Sequence, residues 1–144
     1  MPEASGPARG SFLGRVVPAI AYAALVFWGG SIEIPPPPFE PPAISWDKLG
    51  HVLAFGLMQF VWWRAVRFEL PRLTLRAQCL LAALIASVLG GVLELYQSAL
   101  PHRSADVFDL LADVIGAAVA AALVVHRVQA RTQSLPASSS LTNE

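Results

Sequence analysis

Four long apolar blocks, separated by short polar ones, constrain this chain more than any other feature. They run from about Phe12 to Ser31, from Asp47 to about Arg67, from Thr74 to about Leu100 and from Asp106 to about Arg127. About 20 helical residues at ~1.5 Å rise cover a ~30 Å hydrocarbon core, and each block reaches that length. The blocks are too long for strands, rich in Ala and Leu, and lack period-two alternation. In lipid, a helix is also the only open-chain way to pair every backbone group. Composition agrees: 55% of residues are hydrophobic and only 14% are charged, whereas a soluble domain carries roughly a quarter charged. The expected fold is therefore all-α and integral to a membrane, a bundle of four transmembrane helices in one domain over residues 12–131.

The connections fit this reading. Residues 34–42 (IPPPPFEPP) cannot continue a helix and are expected to form an extended spacer, although a proline run also suits a docking ligand. Pro71 breaks the second connection and Pro101 opens the third. Ser45 and Ser104 stand where N-caps of the second and fourth helices would fall. The tails, residues 1–11 and 132–144, are rich in Ser, Pro and other small or polar residues and are expected to be disordered. A cleaved signal peptide over residues 1–31 is the competing reading of the first block. Pro18 inside its apolar core and bulky Trp28 near any cleavage point argue against it.

Charge distribution sets the expected orientation. With four spans, Arg9, Arg15, Arg64, Arg67, Arg72, Arg76, Arg127 and Arg131 share one side, and only Lys48 and Arg103 fall on the other. The positive-inside rule then makes both termini cytoplasmic. Trp28 and Trp46 fit an outer interfacial belt, and Trp62 and Trp63 an inner one. The net charge of zero gives no basic balance toward nucleic acid, so no nucleic-acid partner is expected. The single cysteine, Cys79, forbids an intramolecular disulfide.

Polar residues collect at the outer ends of three blocks. Lys48, His51 and Phe55 are spaced i, i+3, i+7 and share one helical face. Glu94 and Gln97 form an i, i+3 pair on the third helix, and Asp106, Asp109 and Asp113 repeat the i, i+3, i+7 spacing on the fourth, just after Arg103. The inner halves read as Ala, Val, Leu and Ile apart from flanking arginines. A carboxylate near the bilayer centre costs roughly 2.5–3.5 kcal/mol on insertion scales, so Glu94 and Asp113 need one another, a base, a metal ion or a wet cavity. Plainer readings exist for some of these residues. Asp47 and Lys48 suit an interfacial helix start with a snorkelling lysine, and Asp106 favours a helix N-terminus electrostatically. His51 taken alone reads more readily as a packed, hydrogen-bonded histidine than as a ligand, and Gln97 suits a bridge between helices. Glu94, Asp109 and Asp113 have no such explanation in propensity or capping. Gly90, Gly91 and Gly116 are expected to permit close helix packing.

Taken in order, Asp47-Lys48-x-x-His51-x-x-x-Phe55 and Glu94-x-x-Gln97-x-x-x-Pro101-x-Arg103-x-x-Asp106-x-x-Asp109-x-x-x-Asp113-x-x-Gly116 resemble the signature of VanZ-like membrane proteins. The resemblance covers roughly residues 13 to 127. Two positions depart from it: Asp113 stands where the family usually has Asn, and Val52 where an aromatic is common. The family is named for a protein associated with teicoplanin resistance, so the resemblance implies a role at the envelope, in a bacterial inner membrane. It does not specify a reaction.

Two functions share this inventory. In the first, the chain is an enzyme acting on a phosphate-containing lipid or lipid-linked envelope precursor in the outer leaflet. Arg103, Lys48, Gln97 and Asp106 would bind the substrate, and Glu94, Asp109, Asp113 and His51 would carry catalysis. A divalent cation on Glu94, Asp109 and Asp113, or one of them as general base, would supply the chemistry. No serine or cysteine sits in an evident nucleophile motif, so a water, a substrate hydroxyl or a carboxylate would attack. In the second, the same pocket recognises an envelope lipid or a partner without turnover. A small transporter is the weaker third reading, since the chain has no evident inverted repeat.

Overall fold

A computed structural model describes residues 12–32, 46–101, 103 and 105–133. The proline-rich connection, the caps expected of Ser45 and Ser104, and most of both tails lie outside the described residues. Four helices follow in chain order: α1 Phe12–Ser31, α2 Trp46–Glu69, α3 Leu75–Ser98 and α4 Val107–Gln133. Each expected block is thus one continuous helix, with α4 running on past the expected end of the domain. Pro18 lies within α1 without ending it. Thr74 caps α3, its side-chain oxygen accepting the Ala77 N–H at 3.3 Å.

Three of the four helices, α1, α3 and α4, are long and apolar enough to cross a membrane. The 24-residue α2 is long enough, but His51, Gln59 and its charged ends (Asp47, Lys48, Arg64, Arg67, Glu69) lower its hydropathy. Its position accounts for this. α2 is the hub of the bundle, packed against α4, α3 and α1, so much of its surface faces protein. Among the described residues α1 touches only α2 and α3.

The bundle is apolar outside and carries its polar groups within. Leu53, Leu57 and Phe60 of α2, Leu80, Leu84 and Val88 of α3, and Ile115, Val119 and Leu123 of α4 are all exposed. Such continuous apolar faces are rare on soluble monomers and normal against lipid. Small residues let the backbones approach on the inside. Ala82, Ala86 and Gly90 form an i, i+4, i+8 stripe on α3. At Gly116 an added Cβ would overlap the Val52 carbonyl oxygen of α2 and lie 2.9 Å from its carbonyl carbon. Only glycine allows that contact. Gly91 has nothing within 4 Å, so the close packing expected there is absent.

Polar contacts fix the helix directions. Arg15 near the start of α1 pairs with Glu69 at the end of α2 at 3.2 Å. Ser31, at the far end of α1, hydrogen-bonds the Tyr96 hydroxyl of α3 at 2.9 Å. The Tyr22 hydroxyl donates to the Ala54 carbonyl at 3.1 Å, stapling α1 to α2 at mid-height. Helices consecutive in the chain alternate in direction, so α2 and α4 run parallel, and the beginning of α1 and the end of α4 share one end of the bundle. There Trp63, Cys79, Ala82 and Val124 form a compact core. Trp28 and Trp46 are exposed, as an interfacial belt requires. Trp63 is instead buried in that core, and the indole nitrogens of Trp62 and Trp63 are both buried without a partner. Trp63 thus fills the bundle where the belt reading expected it to reach outward, while Trp62 is half-buried against the same core.

Candidate polar site

The opposite end of the bundle gathers the ionisable residues. The i, i+3, i+7 spacings turn one face of α2 and one face of α4 toward each other, and α3 closes the third side. At the rim, Lys48 donates to Asp106 at 2.9 Å and to Asp109 at 2.7 Å. The Lys48 ammonium, then the Phe108 N–H, holds the Asp106 carboxyl below its ordinary value. Lys48 also lies 5.8 Å from the centre of the Phe108 ring, close enough for a cation–π contact. One layer in, His51 Nε2 stands 4.0 Å from Asp109 Oδ2, while His51 Nδ1 is hydrogen-bonded to Asp113 Oδ1 at 2.8 Å. The Phe55 ring stacks parallel to the imidazole, 6.4 Å between centres, and is fully buried. It gives the site an apolar floor.

Burial deepens along this series. Side-chain exposure is 38% and 40% for Lys48 and Asp106, 11% and 10% for His51 and Asp109, and 0% for Asp113. The polar groups thus form a track from the surface into the bundle, ending on a carboxylate that water does not reach. Glycine makes that end possible. A Cβ on Gly90 would stand 2.6 Å from Asp113 Oδ2, so α3 leaves a notch that the aspartate fills.

Glu94 enters from α3. Its Oε2 accepts the Asp106 N–H at 2.8 Å, which ties α3 to the start of α4. Its other oxygen, Oε1, is buried with no partner, and so is Asp113 Oδ2. One ligand atom each from His51, Glu94 and Asp113 lie within 4.8 Å of one another, and the same holds for Asp47, His51 and Asp109. The sequence reading grouped Glu94, Asp109 and Asp113 around a cation. The structure puts His51 with Glu94 and Asp113, and Asp109 in the outer trio. Periodicity could not separate these, because Asp109 and Asp113 share a face of α4 and differ only in depth.

Arg103 and Gln97 stand apart from the carboxylates in their bonding. The Arg103 guanidinium donates to the Ile32 carbonyl at 3.5 Å. The Gln97 amide donates to the Gly30 carbonyl at 3.2 Å, holding the end of α1 against α3. That is the bridging role the sequence offered as its plainer reading.

Two residues escaped the sequence reading, which took the inner halves as aliphatic. Gln78 is buried and donates to the Leu70 and Leu73 carbonyls at 3.2 and 3.1 Å, satisfying the turn between α2 and α3. Gln59 is fully buried, and neither amide atom has a partner. A signal was present: these are the uncharged amides inside otherwise apolar stretches.

What this arrangement can do follows from its inventory. It offers an imidazole beside a carboxylate for proton transfer, two spare carboxylate oxygens as bases or ligands, and a lysine at the mouth. Comparison with known proteins places the chain more broadly. No curated relative and no solved structure matches it. The sequence model of the VanZ/LLP1 family matches residues 13–128. With most of its length matched, including every residue of this cluster, the chain belongs to the VanZ/LLP1 family.

Proposed function

We propose that this VanZ-like protein spans a bacterial inner membrane four times, with both termini cytoplasmic, and acts on the headgroup of a phosphate-containing lipid or lipid-linked envelope precursor at the outer surface. One observation carries the catalytic part: Glu94 Oε1 and Asp113 Oδ2 are buried without partners next to His51. A buried carboxylate oxygen left unpaired costs stability, and a scaffold gains nothing from two of them. A site that receives a reacting group does gain, because groups that meet the substrate must be unpaired before it arrives. His51 and Asp113 then form the proton-transferring pair, Glu94 is the second acid or base, and Lys48 and Arg103 flank the mouth where an anionic headgroup enters. Phe55 keeps water and lipid chains from passing below.

Support for the fourth span comes from α2 itself. Its exposed residues include Leu53, Leu57 and Phe60, while the polar residues within the span, His51 and Gln59, turn inward. Cysteine-labelling from each side of the membrane tests the topology; modification of the α1–α2 connection from the cytoplasmic side would remove it.

A second reading, recognition of an envelope lipid without turnover, is favoured by the pairing at the mouth. Lys48 is engaged by two aspartates, which leaves it poorly placed to grip a phosphate. Reconstitution separates the two readings. The protein is placed in vesicles with a phosphate-headgroup lipid or a polyprenyl-diphosphate-linked sugar, and headgroup products are read by mass spectrometry. Product formation that Glu94→Gln removes supports the enzyme. Lipid retention without product, equal in the wild type and Glu94→Gln, supports the binding protein.

A further inference from the structure

We infer that His51, Glu94 and Asp113 form a binding site for one divalent transition-metal ion. The inference deepens the catalytic reading and rests on its assignment of this cluster as the working site. The geometry comes first. The three ligand atoms lie within 4.8 Å of one another, and metal–ligand bonds of ~2.0–2.2 Å need donors roughly 3–4 Å apart, a distance that small rotamer changes reach. They come from three different helices, α2, α3 and α4, so the site exists only in the assembled bundle.

The second argument is the state of the donors. Glu94 and Asp113 are both more than nine-tenths buried, and each keeps one oxygen unpaired. The other Glu94 oxygen is already fixed from outside the trio, by the Asp106 N–H. Such an outer bond holds a ligand carboxylate in place while leaving its free oxygen for a metal. A neutral imidazole with two carboxylates carries a charge of −2, which a divalent ion cancels where water cannot.

The third argument is the choice between trios. Asp47, His51 and Asp109 are as close together. However, the Lys48 ammonium sits 2.7 Å from Asp109 and would repel a cation there, and Asp47 is exposed. Among the described residues the inner trio has no lysine or arginine bonded to it, and the metal would replace the proton shared by His51 and Asp113. The imidazole decides the class of ion. Magnesium and calcium prefer all-oxygen shells, whereas zinc, manganese and iron accept a mixed set. The charge balance also links the ion to the substrate class. Asp47, Asp106, Asp109, Asp113 and Glu94 outnumber Lys48 and Arg103 at this end, so a phosphate meets net repulsion until a cation bridges it to the carboxylates.

The test uses the full-length protein in detergent, stripped with chelator and titrated with Zn²⁺, Mn²⁺ and Mg²⁺ separately. The expected result is one Zn²⁺ or Mn²⁺ per chain, with Mg²⁺ at least about tenfold weaker and affinity falling as pH drops, since the ligands must be deprotonated. Asp113→Asn and Glu94→Gln should each weaken binding about 100-fold or more, and Asp47→Asn should leave it unchanged. Stoichiometric binding lost in Asp47→Asn but kept in Asp113→Asn would overturn the assignment, as would no binding at all. Should the inner variants fail to fold, electron paramagnetic resonance of Mn²⁺ on the wild type decides: coupling to a single imidazole nitrogen is expected, and its absence refutes the site. Metal binding without lipid turnover would leave this inference standing and remove the catalytic reading. Turnover that survives complete removal of metal would do the reverse.

Discussion

The two ends of the bundle solve the same problem differently. At the end holding Arg15 and Glu69, the charged and amide side chains are tied into the scaffold. Gln78 satisfies the carbonyls of the α2–α3 turn, Arg15 pairs with Glu69, and Trp63, Cys79, Ala82 and Val124 fill the interior. At the other end, the ionisable side chains of three helices and of Asp106 are drawn together, and two of them, Glu94 and Asp113, keep a buried oxygen unpaired. The first end shows what a small membrane bundle needs in order to close. The second shows what it carries beyond that need, which is why function is assigned there. Gln59 and the indole nitrogens of Trp62 and Trp63 complicate the contrast, because they too are buried and unpaired, below the apolar floor.

Substitutions can break or sharpen this comparison. The largest effect is expected on chemistry at the polar end. Glu94→Gln keeps the shape and one acceptor but removes the charge, and should lower turnover by about 10²- to 10⁴-fold, the usual contribution of a positioned acid or base. Loss of tenfold or less would place Glu94 in the scaffold and erase the difference between the ends.

Packing comes next. Gly116→Ala pushes a methyl into the Val52 backbone and should cost about 1–3 kcal/mol. Gly91→Ala, with open space around it, should shift thermal unfolding in detergent little or raise it slightly. Equal effects at the two positions would mean that α2 and α4 are not as close as described.

The two buried glutamines give a sharper test. Gln78→Leu leaves the Leu70 and Leu73 carbonyls without that donor and should destabilise by about 1–3 kcal/mol. Gln59→Leu removes an amide that has no partner and should be neutral or stabilising by about 1 kcal/mol. If Gln59→Leu instead abolishes activity at unchanged stability, the functional region extends below Phe55. The smallest effect is expected at the surface. Arg15→Ala should cost no more than about 1 kcal/mol, since partly exposed ion pairs contribute little.

Much of this was legible in residue order, and the misses share a cause. The helix bounds followed from hydropathy and prolines, because a bilayer imposes its thickness on any spanning segment. The faces of α2 and α4 followed from i, i+3, i+7 spacing. Trp63 was read as facing outward because an indole near a helix end suits an interface or a core equally, and only its neighbours decide. Gln78 was missed because the carbonyls it serves, Leu70 and Leu73, belong to a turn whose geometry is set by folding.

By itself, the sequence determined an all-helical membrane protein of the VanZ-like pattern, with its histidine and acidic cluster at one end of the bundle. Those properties depend on local quantities: length, apolarity and angular spacing along a helix. Only the tertiary structure decided that His51 joins Glu94 and Asp113, that Lys48 is spent on Asp106 and Asp109, and that Gly90 makes the notch for Asp113. Each of these is a contact between helices. Helix rotation, depth and separation set such contacts, and no spacing within a single helix encodes them.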